Sequence, residues 1–317
     1  VLPVEGGGTG VGTLDSARLV LGVSTYTDIT PLGQTTPRGE VSGSLSITQT
    51  LAQGFGTVAS GSYSQAQGRN TTASGPYSFA SNQNSTATAV CSSAIGEGSS
   101  ATATAAHSQG FGSIAGGLAS HAEGYYTEAT SNYSHSEGYR TDATNTAAHA
   151  EGYQSLASGL YSHASNRNTT ASATCAHAEG EGTSATADAA HSEGFQSVAS
   201  GFAAHAEGYE TTASGLYSHA AGRSSAATAN SAAAIGYNLV ADQENSAVVG
   251  QWNLENQTGV LFAVGNGADA NTRSDALQVD QMGNLTASGS VIASGQDLLM
   301  LIAALQTQVD TLTAQLG

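Results

Sequence analysis

Nine histidines are the residues of this chain whose type and spacing point most directly to chemistry. They recur every 14 residues, and the chain contains no other histidine. The row consists of His107, His121, His135, His149, His163, His177, His191, His205 and His219. Imidazole is a common general acid or base near neutral pH and a common metal ligand. The row must therefore be weighed as a catalytic, a metal-binding or a structural feature.

A glutamate stands two residues after six of these histidines. The six are Glu123, Glu137, Glu151, Glu179, Glu193 and Glu207. Residues two apart on a strand lie on the same face, so each pair is predicted to lie side by side. A catalytic site is one asymmetric arrangement of nucleophile, base and orienting group, which a pair repeated along a row does not provide. We therefore expect a structural ladder, no enzyme activity, no catalytic residue, no cofactor and no dedicated metal site. Ion binding along the ladder and a solvent-facing ladder stay open as alternatives.

The ladder belongs to a repeat that spans residues 55–250. Fourteen units of 14 residues fit end to end without an insertion, and each unit ends in Gly or Asn. If positions 1–14 are numbered from Phe55, the histidines hold position 11 and the glutamates position 13. Position 5 is Ala in every unit, and position 3 is Ser or Thr except at Leu239. A period this short and strict is typical of a solenoid, in which each coil stacks on the next.

Small residues alternate along each unit at positions 3, 5 and 7 and again at positions 10, 12 and 14. This period of two predicts two short strands per coil around a narrow interior, with corners at position 7 and at the Gly or Asn of position 14. A helix is disfavoured because Gly, Ser and Thr are abundant and no period of 3.6 residues is present. The expected fold class is all-β.

Charge and hydropathy exclude two classes of partner. The chain has seven basic residues, all Arg, against 24 acidic ones, and a net charge of −17. Such a surface repels nucleic acid, so we expect no nucleic-acid partner. No apolar stretch approaches the roughly 20 residues that a membrane-spanning helix needs. We therefore expect no membrane insertion.

Two cysteines, Cys91 and Cys175, both hold position 9 and lie six units apart. Coils stacked about 4.8 Å apart separate them by about 29 Å. A disulfide allows at most about 7 Å between Cα atoms. We expect no bridge within one chain and interpret both residues as small fillers.

Aromatic residues recur at positions 1 and 9. They are Phe55, Phe111, Tyr125, Tyr139, Tyr153, Phe195, Tyr209 and Tyr237, and Tyr63, Tyr77, Tyr133, Tyr161 and Tyr217. Exposed tyrosines can bind glycans, but we expect these rows to cover coil corners and to pack between chains. The Ser/Thr row at position 3 raises ice binding as a further alternative. Because this row alternates with the invariant Ala, we expect it inside the coil instead.

The flanking segments differ from the repeat. We divide the chain into an N-terminal connector (1–40), a shaft (41–250), a small β module (251–290) and a coiled coil (291–317). The coiled-coil prediction rests on apolar residues spaced alternately by four and three. This seam comprises Leu298, Ile302, Leu305, Val309, Leu312 and Leu316. Regularity ends near Trp252 and in the loop 266–273, where contacts with other molecules are expected.

The unit ends Ser92–Gly96, Ala232–Gly236 and Ser246–Gly250 resemble the YadA-like head repeat of trimeric autotransporter adhesins, whose consensus is Ser-Val-Ala-Ile-Gly. The resemblance covers residues 55–250. It implies a left-handed parallel β-roll that forms a homotrimer, with positions 11 and 13 facing the threefold axis. Here most units carry His and Glu, in place of Val and Ile, at those positions.

The segment Gly6–Gly10 followed by Ala17–Gly22 resembles connectors of bacteriophage tail fibres, and the segment after Gly250 is similar to a small module of such fibres. The resemblance implies a structural trimeric fibre of a phage tail or comparable virion appendage, which spaces or presents host-recognition surfaces. The implied partners are two further copies of the chain, other tail or appendage proteins, and a host surface glycan or protein. The implied location is the virion, outside the cell. The alternative is a trimeric autotransporter-type adhesin on the bacterial cell surface.

Overall fold

The structure is a computed structural model that describes residues 50–293 and 296–316. It contains a parallel β-solenoid of about 15 turns with 14-residue coils. The all-β repeat predicted from the sequence is thereby confirmed. The predicted connector (1–40), and the first part of the predicted shaft up to residue 49, lie outside the described residues.

Each coil contributes one long strand, formed by positions 11–14 of one unit and position 1 of the next. These strands are β1 (Leu51–Phe55), β3 (Gln65–Arg69), β5 (Phe79–Gln83), β7 (Ser93–Ile95), β9 (His107–Phe111), β11 (His121–Tyr125), β13 (His135–Tyr139), β15 (His149–Tyr153), β17 (His163–Arg167), β19 (His177–Glu181), β21 (His191–Phe195), β23 (His205–Tyr209), β25 (His219–Arg223), β27 (Ala233–Tyr237) and β29 (Ala247–Gln251).

A short strand at positions 4 and 5 forms the opposite side of each coil. These strands are β2 (Val58–Ala59), β4 (Thr72–Ala73), β6 (Thr86–Ala87), β8 (Ser100–Ala101), β10 (Ile114–Ala115), β12 (Glu128–Ala129), β14 (Asp142–Ala143), β16 (Leu156–Ala157), β18 (Thr170–Ala171), β20 (Ser184–Ala185), β22 (Val198–Ala199), β24 (Thr212–Ala213), β26 (Ala226–Ala227) and β28 (Val240–Ala241). They form a sheet of 14 strands, and the long strands belong to a sheet of 18.

Strands of successive coils pair in parallel with a shift of 14 residues. His121 is opposite His135, and Ala129 is opposite Ala143. Every residue therefore lies beside the residue of the same position in the next coil. Stacking also satisfies the backbone groups of each strand with its neighbours, which no single coil can do.

The interior is a narrow column of small side chains. Positions 3, 5, 10 and 12 are buried as predicted, and the alanines of position 5 from Ala73 to Ala241 are fully shielded. Buried hydroxyls donate to carbonyls of the turns: Ser108 Oγ donates to Ser113 O at 2.7 Å, and Ser113 Oγ to Gly124 O at 3.0 Å. Some of the buried hydroxyls are thus paired with backbone carbonyls, whereas others, such as those of Thr127 and Thr169, have no hydrogen-bond partner within the described residues.

Position 14 differs from its prediction, because it is a bend inside the long strand and not a corner or an interior site. Gly110 has φ 119°, and a Cβ on this residue would lie 2.0 Å from the carbonyl oxygen of Gly124 in the next coil. Close backbone approach therefore selects glycine here. Asn82 and Asn166 occupy the same position with φ 83°. Pairing of the long strands ends before Asn82 on the side of β7 and is interrupted at Asn166 on the side of β15.

Positions 2 and 9 hold a left-handed backbone in every complete coil, although most residues there are not glycine. At position 9, Tyr133 has φ 59° and Cys175 has φ 56°. Both cysteines, Cys91 and Cys175, are free and exposed at this corner, so they do not fill space inside the coil, and no bridge joins them within the chain. Side chains at position 9 leave the coil because the turn reverses the chain there.

The repeat does not stop at Gly250 but is completed by one longer coil. Strand β30 (Val260–Asn266) pairs in parallel with β29, with Ala247 opposite Phe262. Strands β31 (Asp275–Asp280) and β32 (Leu285–Ala287) then add in antiparallel order. A two-stranded pair follows, formed by β33 (Ile292–Ala293) and β34 (Gln296–Asp297).

The end of the short-strand sheet is closed by side chains. Asn253 is buried; its Oδ1 accepts from Val240 N at 2.8 Å, and its Nδ2 donates to Val240 O at 2.9 Å. Arg273 donates to the carbonyls of Asn238 and Asn253 at 3.0 and 3.2 Å, and its Nη2 lies 2.8 Å from Glu255 Oε1. Its guanidinium also lies 5.0 Å above the ring of Trp252. Terminal coils of solenoids need such caps because one side has no neighbour.

Helix α1 (Leu298–Leu316) follows β34. Asp297 caps its N-terminus by accepting from Leu299 N at 2.9 Å, as N-cap residues do. The predicted seam residues Leu298, Ile302, Leu305, Val309 and Leu312 lie on this helix and are between 43% and 57% exposed. Leu316, the last seam residue, ends the helix. A single helix is what the structure describes; a coiled coil remains a prediction.

Candidate functional site: the histidine and glutamate ladder

The nine histidines occupy the first residue of nine consecutive long strands, β9 to β25. Parallel pairing with a shift of 14 residues places each imidazole beside the next, as for His121, His135 and His149. Ring centroids of successive histidines lie between 4.7 and 5.0 Å apart. The imidazoles therefore form one continuous stack along the outer face of the long-strand sheet.

Strand alternation determines this orientation. Position 12 is buried inside the coil, so positions 11 and 13 on either side of it project outward. The histidine side chains from His121 to His219 are between 37% and 40% exposed in the single chain. The stack is thus half-buried by its own neighbours and open along one side.

Six of these imidazoles face the glutamate of their own strand. His121 Nε2 lies 3.3 Å from Glu123 Oε2, which is a hydrogen bond. The other own-strand pairs are longer, from 3.5 Å for His149 and Glu151 to 3.9 Å for His205 and Glu207. The predicted side-by-side arrangement is present, but most pairs exceed hydrogen-bond distance.

Three histidines have no glutamate on their own strand, because Gln109, Ser165 and Ala221 stand two residues after His107, His163 and His219. His163 Nε2 lies 4.0 Å from Glu151 Oε1 of the preceding coil, and His219 Nε2 lies 3.5 Å from Glu207 Oε1. Glu151 and Glu207 therefore each lie beside two imidazoles. The missing glutamates at Ser165 and Ala221 are visible in the sequence. That His163 and His219 face the glutamate of the preceding coil is seen only in the structure.

Stacking also lowers the proton affinity of two of the imidazoles. Burial lowers the pKa of His163 and of His191, and neighbouring imidazoles lower it further, while nearby glutamates act in the opposite direction. The Nε2 atoms of His135 and of the six histidines that follow it are shielded from solvent and have no hydrogen-bond partner within the described residues. Both observations favour neutral imidazoles whose Nε2 atom makes no hydrogen bond or only a weak one.

This arrangement offers many equivalent acid, base and ligand groups along the described strands. Within residues 50–293 and 296–316, no hydrogen bond joins a ladder histidine to a hydroxyl or thiol side chain. A nucleophile activated by an adjacent base is therefore not formed along the described ladder. The chemistry that the ladder supports is ion pairing, proton uptake and metal coordination.

The aromatic row of position 1 lies beside the ladder and is continuous from Phe111 to Tyr153. Successive ring centroids lie 4.9 to 5.2 Å apart, and the ring planes deviate from parallel by at most 11°. Each inner ring is thus covered on both faces by its neighbours. A sugar stacks on a free ring face, so this row presents edges and hydroxyls to solvent and suits packing better than glycan stacking.

Of the residues predicted to break regularity, Trp252 packs edge-on against Tyr237 at 5.6 Å between centroids. With Arg273 above it, this tryptophan belongs to the cap. Comparison of the chain with protein-family models and with curated proteins gives no match. In the part of the chain that the structure describes, no helix combines the length and apolar character needed to cross a membrane.

Proposed function

We propose that this chain is the structural shaft of a homotrimeric fibre, in a bacteriophage tail or comparable virion appendage, which spaces or presents a host-recognition surface. The observation that carries the proposal is the exposed apolar seam of α1, from Leu298 to Leu312. Seam side chains of a heptad helix are buried only by partner helices. Parallel, in-register chains would bury three such seams together.

The solenoid supports the same arrangement. Its coils are equivalent over residues 55–250, so a contact made by one coil can be repeated by the next. In the proposed trimer the coils wind left-handedly, and positions 11 and 13 face the threefold axis. In that arrangement, neighbouring chains or water supply hydrogen bonds to the imidazole nitrogens that have no partner within one chain. The proposed role is mechanical, without turnover.

The test of assembly is the mass of the full chain in solution by light scattering coupled to gel filtration. We expect three chains of 31.5 kDa each. Leu305→Asp combined with Val309→Asp places charges in the seam and should release or weaken the trimer. Thr307→Glu combined with Ala314→Glu, on the opposite side of α1, should leave the mass unchanged. A single-chain mass for the unaltered protein would contradict the proposal.

The test of location uses antibody raised against the chain. Labelling of virion tails in electron micrographs is expected. Labelling confined to the surface of uninfected bacteria would instead favour the bacterial adhesin. The role as a spacer predicts that residues 41–317 do not release sugar or peptide products from host cells during incubation.

A further inference from the structure

Where Ser165 and Ala221 follow Glu151 and Glu207 in the row, the ladder has a local arrangement that its other described glutamates lack. Beside Ser165, the carboxylate of Glu151 has Oε2 at 3.5 Å from His149 Nε2 and Oε1 at 4.0 Å from His163 Nε2. Each oxygen of this carboxylate thus faces a different imidazole. Elsewhere, as at Glu137, the carboxylate lies near one imidazole only.

The same arrangement recurs four coils later, beside Ala221. Glu207 has Oε2 at 3.9 Å from His205 Nε2 and Oε1 at 3.5 Å from His219 Nε2. Donor atoms of His149, Glu151 and His163 lie within 4.8 Å of one another, as do donor atoms of Glu193, His205 and Glu207. These are the two three-residue clusters of potential metal ligands in residues 50–293 and 296–316.

The nitrogen atoms in both clusters are available as ligands. The Nε2 atoms of His149, His163 and His205 are shielded and have no hydrogen-bond partner in the described chain. They lie too far from the carboxylate oxygens for a good hydrogen bond, yet they point towards them.

We propose that each of these two clusters binds one divalent transition metal ion of the Zn²⁺ class. The first site is His149, Glu151 and His163, and the second is Glu193, His205 and Glu207. Imidazole and carboxylate groups match the ligand preference of Zn²⁺, and solvent or another chain completes the coordination.

Binding requires the side chains to move closer together. Ligand atoms about 2.0–2.1 Å from a tetrahedral ion lie about 3.3 Å from one another. The nitrogen-to-oxygen distances in these clusters are 3.5 to 4.0 Å, and all donor atoms of a cluster lie within 4.8 Å of one another. Rotation of the exposed Glu and His side chains would close these gaps. One chain supplies all three protein ligands, so the site does not depend on the trimer.

The experiment is calorimetric titration of chelator-treated full-length protein with Zn²⁺ at neutral pH, with Co²⁺ absorption as a second readout. We expect saturable binding of two ions per chain and the visible bands of a Co²⁺ ion held by nitrogen and oxygen ligands. Glu151→Gln combined with Glu207→Gln should weaken binding by at least about tenfold, as even the loss of an outer partner does.

The matched control is Glu137→Gln combined with Glu179→Gln, which removes two carboxylates that each lie beside one imidazole. This variant should retain both sites, and circular dichroism should show that both variants fold. The proposal is overturned if the unaltered protein binds no Zn²⁺ saturably, if both double variants lose binding equally, or if about nine ions bind per chain with equal affinity.

Discussion

A single asparagine side chain takes the place of a strand at the end of the short-strand sheet. Strand β28 would expose the N–H and C=O of Val240, and the amide of Asn253 pairs with both. Asn253 stands at position 3 of the next coil, where all earlier coils except that of Leu239 carry Ser or Thr. The wider reach of an amide is what allows one residue to satisfy both groups.

Asn253→Ala should lower the free energy of unfolding by about 2–3 kcal/mol, because two buried backbone groups lose their partner. Asn271→Ala, in the exposed loop before β31, serves as the control and should change stability by less than about 0.5 kcal/mol. Chemical denaturation of both variants provides the measurement. An equal effect of the two substitutions would show that Asn253 does not cap the sheet.

Two like charges face each other on β12 and β14, where Glu128 is opposite Asp142. Burial, and then the charge of Glu128, raise the pKa of Asp142 above 3.8. A raised carboxyl pKa means that stability is lost as pH rises through this range, so at neutral pH the charged pair destabilises the fold. We expect Asp142→Asn to increase stability by about 0.2–1 kcal/mol at pH 7.

Glu128→Gln should produce a similar gain, and the double variant should gain less than the sum of the two. Thermal unfolding of the four proteins forms a double-mutant cycle that isolates the repulsion. If the stability gains of the two single variants add up exactly in the double variant, repulsion between Glu128 and Asp142 is not their cause.

At the scale of the strand, the histidine stack couples folding to pH. The pKa of His163 is lowered chiefly by burial and then by adjacent imidazoles. The unfolded chain therefore takes up protons at higher pH than the folded chain. Stability is fully present above the ordinary value of 6.5 and falls as pH decreases through it towards the folded-state pKa.

We expect the metal-free protein to melt at a lower temperature at about pH 5 than at about pH 7.5. His191→Gln should make this dependence shallower, because it removes one imidazole whose pKa is lowered. The groups facing His191 are His177, His205, Glu179 and Glu193. Scanning calorimetry over this pH range measures the effect, and a pH-independent melting temperature would show that the imidazoles titrate alike in both states.

The period of the sequence was sufficient to predict the coils, the buried rows and the face that carries the ladder, because side-chain direction on a strand alternates strictly. The backbone conformation at the turns was harder to predict from the sequence. Glycine at position 14 suggested a corner, although Gly110 is selected by the nearby carbonyl of Gly124. The left-handed turn at position 9 was missed, because Tyr133 and Cys175 adopt it without glycine. The cap formed by Asn253 and Arg273 could not be predicted, since its partners lie far apart in the chain.

At the scale of the whole molecule, equivalent coils predict tolerance to the removal of a complete unit. Deletion of residues 125–138 joins Gly124 to Tyr139, the same junction that the repeat already contains. Every remaining strand then finds a neighbour in the same register. We expect an unchanged circular dichroism spectrum per residue and a melting temperature within a few degrees of the original.

Deletion of residues 125–137, one residue fewer, is the control. It shifts the register by one and turns interior alanines outward, so this variant should unfold or aggregate. If both deletions fold equally well, the register does not determine the solenoid.

Equivalence of the coils also has a consequence for the path by which the chain folds. A growing solenoid can add the next 14-residue unit, or it can skip that unit and add the following one, leaving the skipped segment as a loop. The entropy of closing such a short loop is modest, and nearly all stacking contacts are regained. Slipped states of this kind act as kinetic traps. Irregular residues such as Asn82, Ser165 and Ala221 are the features that distinguish one coil from another, so they mark the correct partner during refolding.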